Sequence, residues 1–408
     1  MSQSRQTSDA KSTPNLHDLR ERLKQLRRAT TDFQDPGPIF DCLVFHDGSR
    51  WQAVVDTDED GDLHDETLLT NFRDQRQYGT FSGSAELPFS VNIFSEGNLL
   101  SIVTTSDPHG THVAGIVGAH FQDQPELNGI APGVQIVSVK IGDTRLGSME
   151  TASGLERGIM ATISNRCDLV NMSFGEPTRT PNRGWLTKLL SQLVDEHGVI
   201  FVASAGNAGP ALSTVGAPGA TTDSLFGVGA YLSPAMMSAQ YAALNTRPEL
   251  PYTFTSRGPT FDGHLGVAFC APGGAVAPVP AWTRNLKMQM NGTSMASPNA
   301  CGAIALLLSA AKSHRLQYTP ARVRRALENT ARPLQNSTLF SQGRGLIQVD
   351  LAWQHLTTHH EEVAEDLAFS VQIARQGNTC AGDRRRTAHD LPCLLLGRFW
   401  RLRHPRRG

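Results

Sequence analysis

From residue 111 to residue 330 the chain repeats one alternation, a short apolar run followed by a longer segment with helical spacing. The apolar runs at 168–173, 199–203, 226–231 and 267–270 are four to six residues long, and 134–140 alternates apolar and polar residues as a strand does. Helical spacing marks 111–118, 151–164, 185–196, 297–311 and 320–330. The 297–311 stretch is rich in small and apolar residues all round, which predicts a buried helix. Short apolar strands joined through helices form a parallel sheet covered on both faces. The predicted fold class is therefore α/β, a mostly parallel sheet between helices.

The flanks read differently. Residues 1–15 are polar and predict a disordered lead, and 17–30 carries Leu19, Leu23 and Leu26 at helical spacing. Residues 40–105 alternate strand-like pieces (40–45, 51–55 and 91–103) with polar turns, which predicts a small α+β subdomain. From 377 to 408 there are eight arginines, no lysine and two acids, without a clear period. A basic tail of this kind suits a membrane or a nucleic acid, but an unstructured end is the reading preferred here.

Composition narrows the classes further. With 37 basic and 38 acidic residues, nothing points to a polyanion, so no nucleic-acid partner is expected. No uninterrupted apolar run reaches the ~18 residues of a membrane span, and the N-terminus lacks the apolar stretch of a secretory signal. Six cysteines lie far apart with no CxxC pair, which argues against a zinc site and for free thiols in a reducing cytoplasm.

Three segments carry chemistry. In Asp107-Pro-His-Gly-Thr-His-Val-Ala-Gly-Ile, His109 stands where a helix begins. An imidazole there can act as general base toward a hydroxyl. His112 follows on the same helix face; without the glutamate of an HExxH arrangement it reads as structural rather than metal-binding. In Val199-Ile-Phe-Val-Ala-Ser-Ala-Gly-Asn, a buried strand ends at Asn207. Its amide suits an oxyanion hole at the sheet's C-terminal edge, and a turn asparagine in a left-handed conformation is the equal alternative. In Met290-Asn-Gly-Thr-Ser-Met-Ala-Ser-Pro, Ser294 stands at a helix N-terminus, where partial positive charge favours a developing oxyanion. A plain helix cap is the bland reading of Ser294. The sequon at Asn291 is discounted, since glycosylation needs export.

His-Gly-Thr-His-Val-Ala-Gly, Ser-Ala-Gly-Asn and Gly-Thr-Ser-Met-Ala-Ser-Pro, in this order, resemble the subtilisin superfamily. Over residues 36–355 the chain also resembles the tripeptidyl-peptidase II family, through DPGPIFDCLVFHDG, DEDGDL, SVNIFSEGNLLSIVT, KIGDTRLGSMET, LSTVGAPG, NGTSMASPNACG and RRALENTA. The resemblance implies a subtilisin-like fold and acyl transfer without a cofactor or metal. His109 and Ser294 would be the catalytic pair and Asn207 the oxyanion donor. It further implies a cytoplasmic enzyme that removes tripeptides from free N-termini of oligopeptides. Glu150 and Glu176 would hold the substrate's α-ammonium group. The implied organisation is a lead over 1–35, an insert-like subdomain over 36–105, a peptidase domain over 106–355 and a divergent tail over 356–408. The family's large oligomers form mostly through regions downstream of the match, so assembly is not carried over, and self-association stays open.

The superfamily's third arm, an aspartate in Asp-Thr-Gly, occurs nowhere in the sequence. The resemblance places its segment before Met1, implying a chain truncated at both ends. Asp56 in Val-Val-Asp-Thr-Asp imitates it 53 residues before His109, but Asp58 stands where the motif wants glycine. The run Asp56, Asp58, Asp60, Gly61 also imitates a calcium loop, yet its twelfth position is Thr67 and not the bidentate glutamate. Three readings remain open: a tripeptide-releasing peptidase, a truncated inactive homologue acting only in peptide binding or assembly, and a subtilisin-type endopeptidase.

Overall fold

The computed structural model describes residues 39–361 except 83–85, 106 and 144–148, together with Arg20, Leu23, Lys24 and Arg27. Those four are helical; the rest of 17–30, the lead over 1–15 and the arginine-rich tail lie outside the described residues. The chain divides into two compact units, Met1–Thr105 and Ser106–Gly408.

The first unit holds two small antiparallel sheets. One is β1 (Cys42–His46), β2 (Trp51–Val55) and β3 (Leu69–Thr70); after helix α1 (Phe72–Gln75), the other is β4 (Gly79–Thr80), β5 (Pro88–Phe94) and β6 (Leu99–Thr104). Period-2 alternation on β5 turns Phe89, Val91 and Ile93 inward, where they share a core with Ala53, Val55, Leu69 and Phe81. The strand-like piece over 91–103 is in fact a hairpin, with Phe94 paired to Leu99. Gly97 makes that turn possible. Its φ is +82°, and a Cβ there would lie 2.3 Å from the Trp51 ring.

The second unit opens with α2 (His109–Gly118), a hairpin of β7 (Gly142–Asp143) and β8 (Met149–Glu150), and α3 (Ala152–Ser164). It continues through β9 (Leu169–Met172), β10 (Glu176–Pro177), α4 (Trp185–Asp195), β11 (Ile200–Ser204), β12 (Gly216–Ala217), β13 (Phe226–Leu232), α5 (Pro234–Tyr241), β14 (Leu250–Pro251) and β15 (Phe269–Pro272). A hairpin of β16 (Gly274–Pro278) and β17 (Lys287–Asn291) leads into α6 (Thr293–Ser313), followed by α7 (Pro320–Thr330), α8 (Leu339–Gln342) and α9 (Val349–Thr358). Strands β9, β11, β13 and β15 lie side by side and parallel, and β14 adds an antiparallel pair at the end of β13.

Both faces of this sheet are covered. Ile200 and Val202 of β11 pack with Ile304, Leu307 and Leu308 of α6, Val323 and Leu327 of α7, and Leu356 of α9. The alternate residues Phe201 and Ala203 pack with Leu155 of α3 and Leu190, Leu193 and Val194 of α4. By length and composition α6 could cross a membrane, but 67% of that window is buried, as befits a core helix.

One expectation fails. Residues 134–140 form no strand, and Ile136, Val137 and Val139 are 51%, 44% and 38% exposed. The reason is the lack of a neighbour. Strand propensity is realised only by pairing, and among the described residues nothing pairs with this stretch. For the same reason β9 lies at the edge of the sheet, hydrogen-bonded among the described residues to β11 alone.

Candidate active site

Helix α6 starts at Thr293, so Ser294 lies in its first turn and not beyond it. Gly292 precedes it, and a Cβ built there would stand 3.6 Å from both the Ser294 backbone nitrogen and Asn207 Nδ2. The two N–H donors expected of an oxyanion hole therefore flank one small space. Asn207 is held in this orientation by Thr293, whose backbone N–H and hydroxyl both donate to Asn207 Oδ1 at 2.9 Å. Two donors on one atom fix that atom as the oxygen and turn the NH2 outward. The Thr293 hydroxyl also accepts from the Gly206 N–H at 3.2 Å. Thr293 is completely buried.

His109 is the first residue of α2, and its backbone N–H donates to the Asp107 carboxylate at 2.7 Å. Burial lowers the pKa of its ring from the usual histidine value, and the Asp107 charge opposes this. The ring is thereby kept neutral and able to accept a proton. Helix α2 packs on α6, with Ile116 and Met295 in one buried cluster. Among the described residues no hydrogen bond joins the His109 ring to Ser294, whose hydroxyl donates to the Ser173 carbonyl at 3.2 Å. His112 is fully buried and its Nε2 bonds the Met288 carbonyl at 3.0 Å, tying α2 to β17.

Glu150 ends the β7–β8 hairpin just before Thr151, whose side chain caps α3 by accepting from the Gly154 N–H. Its Oε2 is buried and has no hydrogen-bond partner among the described residues. Burial raises its pKa, and the charge of Glu176 adds to the shift. Glu176 is exposed on β10, paired with Ala217 of β12. Two carboxylates in electrostatic reach of each other, one with an oxygen unpartnered among the described residues, attract positive charge.

Asp56 is 3% exposed, and both its carboxylate oxygens are engaged within its own turn. They accept from Glu59 N–H at 2.8 Å and Gly61 N–H at 2.9 Å. That carboxylate shapes a loop of the first unit.

Sequence reading missed a set of polar residues around Ser294: Asn171, Ser173, Thr293 and Ser297. A signal for one was present. Asn171 interrupts an apolar strand, and a polar side chain placed in such a strand needs partners.

Residues 47–345 match the Peptidase_S8 model, the Subtilase family. Tripeptidyl-peptidase 2 of Arabidopsis thaliana is 51% identical over 385 residues, 92% of this chain and 28% of the relative. The Drosophila melanogaster tripeptidyl-peptidase 2 is 43% identical, over 87% of this chain and 25% of the relative. The chain thus spans about a quarter of the length of these relatives. Subtilisin DY of Bacillus licheniformis is 33% identical, over 62% of this chain and 79% of that protein. A crystal structure of tripeptidyl peptidase 2 matches with a TM-score of 0.67 and 37% identity, over 91% of this chain and 29% of that one. With its parallel sheet, its buried helix and the segments around His109, Asn207 and Ser294, the chain belongs to the subtilase family of serine peptidases.

Proposed function

We propose that this chain is the catalytic part of a peptidase that releases tripeptides from the free N-termini of oligopeptides. The observation that carries this reading is the unpartnered, buried Oε2 of Glu150 beside the charge of Glu176. A substrate α-ammonium group placed there would satisfy that oxygen and relieve the repulsion. Fixed at a set distance from Ser294, the two carboxylates would act as a ruler and stop the substrate from sliding further.

The chemistry follows from the rest of the site. Ser294 Oγ attacks the scissile carbonyl and His109 takes its proton. The oxyanion is held by Asn207 Nδ2–H and the Ser294 N–H, at the N-terminus of α6. His109 then gives the proton to the leaving amine, and water, activated the same way, releases the tripeptide from the ester. No cofactor enters these steps. No described residue is assigned the acid arm. Loss of that arm lowers turnover by about 10⁴-fold in serine peptidases, a magnitude borrowed from that class of enzyme. We place the enzyme in the cytosol; its four described cysteines, Cys42, Cys167, Cys270 and Cys301, are free thiols, which supports a reducing compartment.

A second reading, peptide capture without turnover, is favoured by the missing hydrogen bond between His109 and Ser294. A fluorophosphonate probe separates the two. Labelling that disappears in Ser294→Ala supports the peptidase, and a folded chain that never labels supports capture. Comparing free and N-acetylated oligopeptides tests the ruler. Equal cleavage of both would make the enzyme an endopeptidase and sink the tripeptide reading.

A further inference from the structure

Helix α6 contains a proline at position 298, four residues after Ser294. Proline has no N–H, so the Ser294 carbonyl loses the helical donor it would otherwise receive. The structure supplies a substitute from another element. Ser173, just beyond β9, donates its hydroxyl to the Ser294 carbonyl at 2.7 Å. The same hydroxyl accepts from Asn171 Nδ2 at 3.1 Å, and Asn171 Oδ1 accepts from the Ser297 hydroxyl at 2.6 Å. Ser297 is completely buried, one turn along α6 from Ser294. In return, Ser294 Oγ donates to the Ser173 carbonyl. The four hydrogen bonds run in one consistent sense, each hydroxyl donating once.

We infer that Asn171, Ser173 and Ser297 are positioning residues for the nucleophile: they replace the helical hydrogen bond removed by Pro298 and lock the first turn of α6 to strand β9. This rests on the reading of Ser294 as nucleophile. The lock acts at two points of the chemistry. It sets the Ser294 N–H, one of the oxyanion donors, and it sets the direction of Ser294 Oγ. It also explains a polar Asn171 in an edge strand. Because β9 is paired on one side only among the described residues, its hold on α6 through Asn171 and Ser173 supplies part of the order that a second strand would otherwise give.

Pro298 offers a rescue test. In Ser173→Ala the Ser294 carbonyl has no donor. In the double variant Ser173→Ala/Pro298→Ala, an alanine N–H at 298 can donate to it through the helix. Two readouts are compared in the full chain: hydrogen exchange at the Met295 and Ala296 amides, which bond Gly292, and the rate of fluorophosphonate labelling. Loss of one hydrogen bond corresponds to about fivefold in an equilibrium. Ser173→Ala should therefore speed exchange and slow labelling by about fivefold each, and Pro298→Ala should restore both. The same Pro298→Ala change should leave the labelling defect of Asn207→Ala unrepaired. Wild-type exchange rates in Ser173→Ala, or failure of Pro298→Ala to restore them, overturn the inference. Exchange needs no catalysis. If the parent chain never labels, the nucleophile reading fails while the exchange data still decide whether the lock exists.

Discussion

Thr293→Val is the sharpest test of how the oxyanion site is built. Valine keeps the shape of this fully buried side chain and removes only its hydroxyl, which bonds Asn207 Oδ1 at 2.9 Å and the Gly206 N–H at 3.2 Å. The first loss is worth about 1 kcal/mol, and leaving the half-buried Gly206 N–H without that acceptor costs about 1 kcal/mol more. A total of about 2 kcal/mol in a unit of this size lowers the melting midpoint by roughly 4–8 °C. The effect on chemistry is separate. Asn207 keeps one anchor, the Thr293 N–H, so its amide wobbles but is not lost. Complete removal of such a donor lowers turnover by about 10²–10³-fold, a figure measured on a subtilisin. Labelling of Thr293→Val should fall by about tenfold, well short of the loss in Asn207→Leu. Thr293→Ser, which retains the hydroxyl, should match the parent in both measurements. A Thr293→Val chain with an unchanged midpoint and an unchanged labelling rate would mean that the Thr293 hydroxyl does not hold Asn207 in place.

Other outcomes follow from the same geometry. Burial depresses the His109 and His112 rings, so below about pH 6.5 the folded chain binds fewer protons than the unfolded one. Stability should be full above that pH and fall as the pH drops through the depressed values, as a midpoint series in buffers from neutral to acid will show. The acid limb of labelling should likewise lie below about pH 6.5, and Asp107→Asn should move it lower still, because the Asp107 charge raises the His109 pKa. Glu150 is shifted the other way. Its burial cost is absent below about pH 4.5 and grows as the pH rises through its raised value, so Glu150→Gln should stabilise the chain near neutrality and gain nothing in acid. The same variant should raise the KM for free-amine peptides while leaving the labelling rate unchanged. Leu307 of α6, 1% exposed in the core it shares with the sheet, should cost about 2–5 kcal/mol when truncated to alanine, read from denaturant midpoints.

Much of the second unit was legible because its signals are local. The apolar runs that became β11, β13 and β15 are buried on both faces, that of β9 is partly buried, and α4 and α7 carry strong helical spacing. The place of Ser294 at a helix start was legible from Gly292-Thr-Ser. What escaped depends on partners distant in sequence. Residues 134–140 have a strand's pattern but no strand to pair with. The β16–β17 hairpin hid in an alanine- and proline-rich stretch without clear alternation. Helix α5 was missed despite Ser233 as its cap and Pro234 at its first position, a local signal that was available. The lock on Ser294 joins residues 121 to 126 positions apart, and spacing along a chain says nothing of such meetings.

Helix α6 also has a history within each molecule as it is made. Lys312 is the only charged residue in its length. Its cover on one side comes from α7 and α9, which end at Thr330 and Thr358. On the ribosome these follow α6 by up to about 45 residues, roughly 2–9 s of synthesis at ~5–20 residues per second. For that interval the nascent chain presents a segment with the length and apolarity of a membrane anchor, covered at most on the side that faces the earlier strands. Until α7 and α9 emerge, the helix that begins at Thr293 depends on shielding of its uncovered apolar side from other apolar surfaces.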